Sequence, residues 1–243
     1  MSSINGLYIA ASGLSASMAE LDQAGFNLAN ASTPGFKRFE ELTQTLGSRT
    51  SPFKYASVPL GPVLSMQSGS AAHTGNPLDV YLTGQAFMAV QKPDGGEAYT
   101  RDGQLSEQAA AQPGFVTLYA ASMPLLDSNG TPFMLPPGDI SIAQDGTVSV
   151  AGAPYGQIKL ADSTGQHLIP MGDLLYATAS GQPLPADPSA GVIQGAMEVG
   201  ASESITDMMS VLKIGQRYQN LMSAIHDIEN NMSQAIKTYS LNA

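Results

Sequence analysis

Apolar residues recur at alternating spacings of three and four near the C-terminus, at Val211, Ile214, Tyr218, Leu221, Ile225, Ile228 and Met232. This is the seam of a coiled-coil helix, and it predicts one helix from about Ile205 to Tyr239. No proline interrupts it, and only Gly215 weakens it, by about 1 kcal/mol against alanine. Roughly 36 residues at about 1.5 Å each give a rod of about 54 Å, longer than a small domain covers. At the other end, Leu7, Leu14, Met18, Leu21 and Leu28, with Ala11 and Gly25 among them, repeat the same spacing over three heptads. They predict a first helix from about Ser3 to Asn30, rich in Ala, Ser and Gly and marginal in isolation. Both seams need partners. Either the two helices close one domain against each other, or they order when many copies meet.

The first helix stops at Ala31-Ser32-Thr33-Pro34-Gly35, where proline and glycine forbid further regular helix. Residues 36–77 contain Pro52, Pro59 and Pro62 among sparse apolar positions, which predicts an extended connector with a short helix around Phe39–Leu46. Between 78 and 190 the period shortens. Runs such as Val80–Leu82, Ala86–Gln91, Val116–Tyr119, Ile140–Ile142 and Thr147–Val150 alternate with turn signals at Asp94-Gly95, Asp102-Gly103, Asn129-Gly130 and Asp145-Gly146. The expected fold class is α+β. Long N- and C-terminal helices (1–35 and 191–243) form a coiled-coil-like assembly domain, joined by the connector to an all-β central domain, a sandwich or partly open barrel.

Charge sharpens this division. The chain of 243 residues has a formal charge of −10 and only ten Lys and Arg, with no basic cluster beyond Lys37-Arg38, which argues against a nucleic-acid partner. Residues 41–202 hold thirteen of the twenty acids, so the middle stays hydrated while the nearly neutral ends are free to associate. There are no cysteines, hence no disulfides or thiolate sites. No apolar run reaches the roughly 20 residues that span a bilayer, and no classical signal precedes the first helix, so direct membrane insertion is not expected.

The chemistry of an enzyme is missing from the pattern. No nucleophile elbow, phosphate loop, dinucleotide turn or H-E-x-x-H helix occurs, and His73, His167 and His226 are dispersed. Asp94, Asp102 and Asp145 each precede glycine, which tight turns explain without catalysis. No catalytic, cofactor-binding or metal-ligating residue is assigned, and no cofactor is expected.

Four longer strings point elsewhere. NLANASTPGFKR from Asn27 to Arg38 resembles the N-terminal signature of the bacterial flagellar rod and hook proteins. TGNPLDVYLTGQAFMAVQKPDGGEAYTRDGQLS (74–106) and ISIAQDGTVSV (140–150) are similar to that family's β segments, and QGAMEVGASESITDMMSVLKIGQRYQ (194–219) to its C-terminal signature. The strings keep family order over about half the chain. Ala86, Ala31 and the Gly200-Ala201-Ser202 stretch depart from the usual residues. Within the family, the short connector and the absence of room for an extra domain are most similar to a proximal-rod subunit; a distal-rod or other axial protein is the alternative, and a secreted coiled-coil binding protein is the reading outside the family. The resemblance implies a structural subunit of the rod that spans the periplasm in the basal body, transmitting motor torque to the hook. Implied partners are other copies of itself, other flagellar rod proteins and the flagellar type III export apparatus. Expected assembly-seam residues are Leu7, Leu14, Met18, Leu21, Leu28, Val211, Ile214, Tyr218, Leu221, Ile225, Ile228 and Met232; Asn27, Asn30, Gly35, Phe36 and Lys37 form the family turn.

Overall fold

The computed structural model describes residues 2–46, 56–67, 69–198 and 204–241. Among them the chain forms α1 (Ser2–Ala29), β1 (Phe39–Leu46), β2 (Ala56–Leu64), β3 (Ala71–His73), β4 (Val80–Leu82), β5 (Ala86–Gln91) and β6 (Glu97–Thr100). There follow β7 (Ser106–Ala109), β8 (Val116–Ala120), β9 (Met123–Pro124), β10 (Ile140–Ile142), β11 (Thr147–Val150) and β12 (Ala153–Gln157). The chain closes with β13 (Leu160–Asp162), β14 (Leu168–Gly172), β15 (Leu175–Thr178), β16 (Val192–Gln194), β17 (Ala196–Glu198) and α2 (Ser204–Leu241). By packing, the described residues fall into two units, the first holding those within 1–29, 39–63 and 203–243 and the second those within 30–38 and 64–202. Among the described residues no helix is long and apolar enough to cross a membrane.

The first unit is a helix pair with a strand pair. The short helix expected around Phe39–Leu46 is β1 instead, paired with β2. The cause is local capture of its first residue. The Asn27 amide donates to the Phe39 carbonyl at 2.7 Å and its oxygen accepts the Phe39 N–H at 3.0 Å, so a side chain supplies the two bonds of a strand neighbour. The Phe26 and Phe39 rings stack at a tilt, 6.1 Å between centroids.

The second unit is all β. Its largest sheet has the order β13-β5-β6-β15-β14, and the remaining strands form short sheets, β10-β11-β12, β7-β8-β9, β16-β4 and β17-β3. Every recorded register in it is antiparallel. Among the described residues the strands are divided among several small sheets, and one apolar core draws on most of them. Strand β5 is an interior strand in which Ala86 to Val90 are all buried, so it reads as a continuous apolar run with both faces covered. Ala86, Met88 and Val90 enter the main core beside Leu118, Leu125, Leu135 and Val148. On the other face Phe87 meets Tyr176 edge to face at 5.5 Å.

The Asp-Gly pairs are turns. Asp94, Asp102 and Asp145 each accept a backbone N–H two residues on, from Gly96, Gln104 and Thr147 at 2.9, 3.1 and 2.9 Å. The β8–β9 hairpin breaks the sequence rule, because Ala121 and Ser122 take its two left-handed positions at φ 48° and 62°.

Candidate assembly interface and its buried charge cluster

The helix pair carries one face of the expected seam. From Gln216 to Thr238, only Tyr218, Leu221, Ile225, Ile228 and Met232 are even half-covered, and Ile214 is buried a turn earlier, with Val211 half-buried. These are the positions that the three-four spacing marks. Their cover is α1 of the same chain, running antiparallel. Gly13 faces Leu221 and Gly6 faces Ile228; a Cβ on either glycine would lie 3.5 Å from the leucine or isoleucine methyl. Farther along, Arg217 bonds Glu20 at 2.7 Å, a partly exposed pair worth at most about 1 kcal/mol.

On α1 small residues stand beside the expected seam positions. The line of closest approach runs through small residues, Gly6 and Gly13, while Ala10, Ala16 and Ser17 are buried. Leu7, Leu14, Leu21 and Leu28 are half-buried beside that line, and Met18 is exposed. Small side chains let the large α2 residues seat against the α1 backbone, which is why the contact lies one residue away from the leucines.

The turn motif leads to a second feature, within the β unit. Lys37 is buried and donates to Glu198 Oε1 at 2.8 Å and to the Gln67 carbonyl at 2.6 Å. Arg101, whose side chain is fully buried, donates from Nε to Glu198 Oε2 at 2.9 Å and from its remaining nitrogens to the carbonyls of Gly84, Ala86 and Leu82. Its guanidinium carbon lies 5.8 Å from the Phe87 ring centroid. The Gly69 N–H gives Glu198 a third donor at 2.6 Å. Gly35 completes the turn at φ 70°, donating to the Glu198 carbonyl at 3.2 Å; a Cβ there would fall 2.4 Å from the Arg101 carbonyl oxygen, so only glycine fits. Phe36 is buried alongside, and Asn30 accepts from the Thr33 N–H to start the turn.

The sequence marked Lys37 as part of a motif but not its partners. Arg101 and Glu198 lie 97 residues apart, and the available signal was a single charge after the short apolar or polar runs Ala-Tyr-Thr and Ala-Met. Two cations share one carboxylate, and that sets the electrostatics. Burial, then the neighbouring Arg101, lowers the Lys37 pKa against the opposing pull of Glu198. For Glu198 burial acts upward, but Arg101, Lys37 and the Gly69 N–H outweigh it and the net shift is down. Burial pushes the nearby Tyr176 phenol up to about 12, so it stays neutral.

A pH dependence follows. A carboxyl with a folded pKa below its unfolded value binds more protons when unfolded, so its stabilisation is complete above about pH 4.3 and is lost as pH falls through the folded pKa. The turn carboxylates Asp94, Asp127, Asp145 and Asp162 are shifted the same way, and outnumber Asp102, which burial pushes up. The denaturant midpoint of the β unit is therefore expected to drop from pH 5 to pH 3, and Glu198→Gln to remove part of that slope. An unchanged slope in the variant would mean that Glu198 is not held as the carboxylate.

Residues 7–37, which end on Lys37, match the family described as flagella basal body rod protein, and residues 81–150, which contain Arg101, match the flagellar hook protein FlgE/F/G D1 domain. The chain is 30% identical over 237 residues to the flagellar basal-body rod protein FlgF of Escherichia coli (strain K12), with 88% of this chain and 90% of that protein covered. It is 30% identical over 239 residues to FlgF of Rhizobium meliloti (strain 1021), covering 96% and 97%. It is 31% identical over 250 residues to FlgG of Buchnera aphidicola subsp. Acyrthosiphon pisum (strain APS), covering 89% and 92%. With matches at this identity running along nearly the whole of each chain, the chain belongs to the family of flagellar basal-body rod proteins.

Proposed function

We propose that the chain is a structural subunit of the proximal rod, without enzymatic activity, which self-assembles through its terminal helices and carries motor torque toward the hook. The observation that carries this reading is the apolar outer surface of the helix pair. Tyr8, Met18 and Phe26 on α1 and Met208, Leu212, Met222 and Ile236 on α2 are all exposed, Ile236 at 66%. Met208, Met222 and Ile236 stand two heptads apart in succession and so share one stripe beside the inner seam. An exposed apolar stripe of this extent marks a protein partner, and in a rod the partners are further copies of itself and other rod proteins. The inner seam holds the pair that displays the stripe, so both sets of residues serve assembly. Delivery is through the flagellar type III export apparatus. The proximal assignment rests on the FlgF relatives and the short connector; the FlgG match supports a distal-rod subunit as the second reading.

Deletion of the gene in its own host is expected to leave cells without rods or hooks, seen in purified basal bodies; normal basal bodies would end the proposal. A finer test is Met222→Glu with Ile236→Glu. Both side chains face outward, so circular dichroism is expected to stay native while incorporation falls by about tenfold or more, since each change buries a carboxylate only upon assembly. Undiminished incorporation would remove the stripe from the interface.

A further inference from the structure

The chain passes between its two units four times, at 29/30, 38/39, 63/64 and between Glu198 and α2. All four passages lie close in sequence to one buried group. Lys37 precedes the second, the Gln67 carbonyl follows the third, Glu198 precedes the fourth, and Gly35 ends the turn that follows the first. A direct bond from the Ser65 N–H to the Arg38 carbonyl, 2.7 Å, ties the second passage to the third. We infer that Glu198 and Lys37 are positioning residues: their buried ion cluster fixes where the chain leaves the β unit, and rod assembly requires those exits to be fixed.

The chemistry supports geometry over stability. A buried ion pair contributes little net stability compared with apolar side chains of equal volume, because desolvation offsets the attraction; its best attested use is to select one arrangement. Here the cluster carries a surplus positive charge, which makes it a poor stabiliser. It is instead saturated with directional bonds. The Glu198 carboxylate takes three donors from three separate segments, Lys37, Gly69 and Arg101. Arg101 is itself locked by three carbonyls, so the anion cannot shift without breaking a planar fork. Lys37 then transmits that fixed point to the Gln67 carbonyl, which no apolar residue could hold.

The role in assembly rests on the rod reading, whereas the effect on the exits does not, and two measurements separate them. Lys37→Met keeps the neutral Arg101–Glu198 pair and removes the surplus charge. Hydrogen exchange on the full-length monomer is expected to speed by about tenfold at Ser65 and Gly69 while the Leu125 and Leu126 amides in the core stay as protected as before, with an unfolding midpoint unchanged or raised. Incorporation into rods is expected to fall with the exits, and Lys37→Arg to restore both. Glu198→Gln is expected to loosen the same amides and Gly35. Even loss of protection across the β unit, or a lowered midpoint in Lys37→Met, would make the cluster merely structural and overturn the inference. So would loosened exits with normal incorporation, or exits that keep their protection. If the unaltered chain does not enter rods at all, the rod reading fails and the exchange pattern alone decides what the cluster does.

Discussion

A chain carrying Leu221→Glu is expected to keep a folded β unit and to be excluded from the rod. Leu221 packs on α1 against Gly13, beside the buried Ala10 and Ser17, where no cation of α1 has been placed to pair with a carboxylate. A carboxylate at that place either loses its water without a partner or forces the helices apart, at a cost of at least about 3 kcal/mol. The helices have little in reserve. The glycines of α1 lower its own propensity, and its stability comes from packing against α2. Limited proteolysis is expected to remove both helices from the variant and leave the β unit, and basal bodies are expected to contain none of it. Rods with the normal complement of a Leu221→Glu chain would show that the inner seam is dispensable. Ile225→Glu, one turn on, is expected to behave in the same way.

The second large effect belongs to Arg101. Arg101→Met removes the donor to three carbonyls, those of Gly84, Ala86 and Leu82, and strips Glu198 of one of its two cations. Breaking a buried ion pair from one side costs about 3–5 kcal/mol. For a unit of this size about 1 kcal/mol lowers the melting temperature by roughly 2–4 °C, so a fall on the order of 10 °C is expected in a thermal scan of the β unit. Lys37→Met sits in the same cluster but removes surplus charge, and its midpoint should hold. The contrast between two cation-to-methionine changes is the informative result. Equal losses would mean that Lys37 contributes to stability as Arg101 does, and a small loss at Arg101 would mean that water reaches the carbonyls.

What the sequence made legible follows the range of each interaction. The seam of α2 was readable because large residues repeat at a fixed interval along one element. On α1 the half-buried leucines were equally readable, whereas Gly6 and Gly13 contact α2 through what they lack and give no hydrophobic signal. Strand β5 and the Asp-Gly turns are written in adjacent residues, and their boundaries follow. Strands β7 and β12 lie almost wholly on the surface and show no buried alternation to read. The β8–β9 turn uses Ala121 and Ser122 where glycine or asparagine is the usual cue. Strand β1 was taken for a helix because its conformation depends on Asn27 and on β2, neither of which its own eight residues reveal. The charge cluster was the least legible part. Its members are 97 and 161 residues apart, and no local rule connects a lysine after a turn to a glutamate that ends a distant strand.

The two helices are unequal, 28 residues in α1 against 38 in α2. With Gly6 opposite Ile228, α1 runs out near Met232, and the six residues that follow it in α2 are all exposed. Within the helix pair, α2 thus extends past α1 as a ledge of about two turns that no described residue of α1 covers. Two subunits meeting in solution cover at most part of each other's ledges, so small clusters gain little for the freedom they lose, and spontaneous nucleation is disfavoured. An existing tip presents several ledges at once and receives a newcomer on more than one side. On the proposed assembly through the helices, growth from a template at subunit concentrations too low to start a polymer is the expected kinetic consequence of that ten-residue difference.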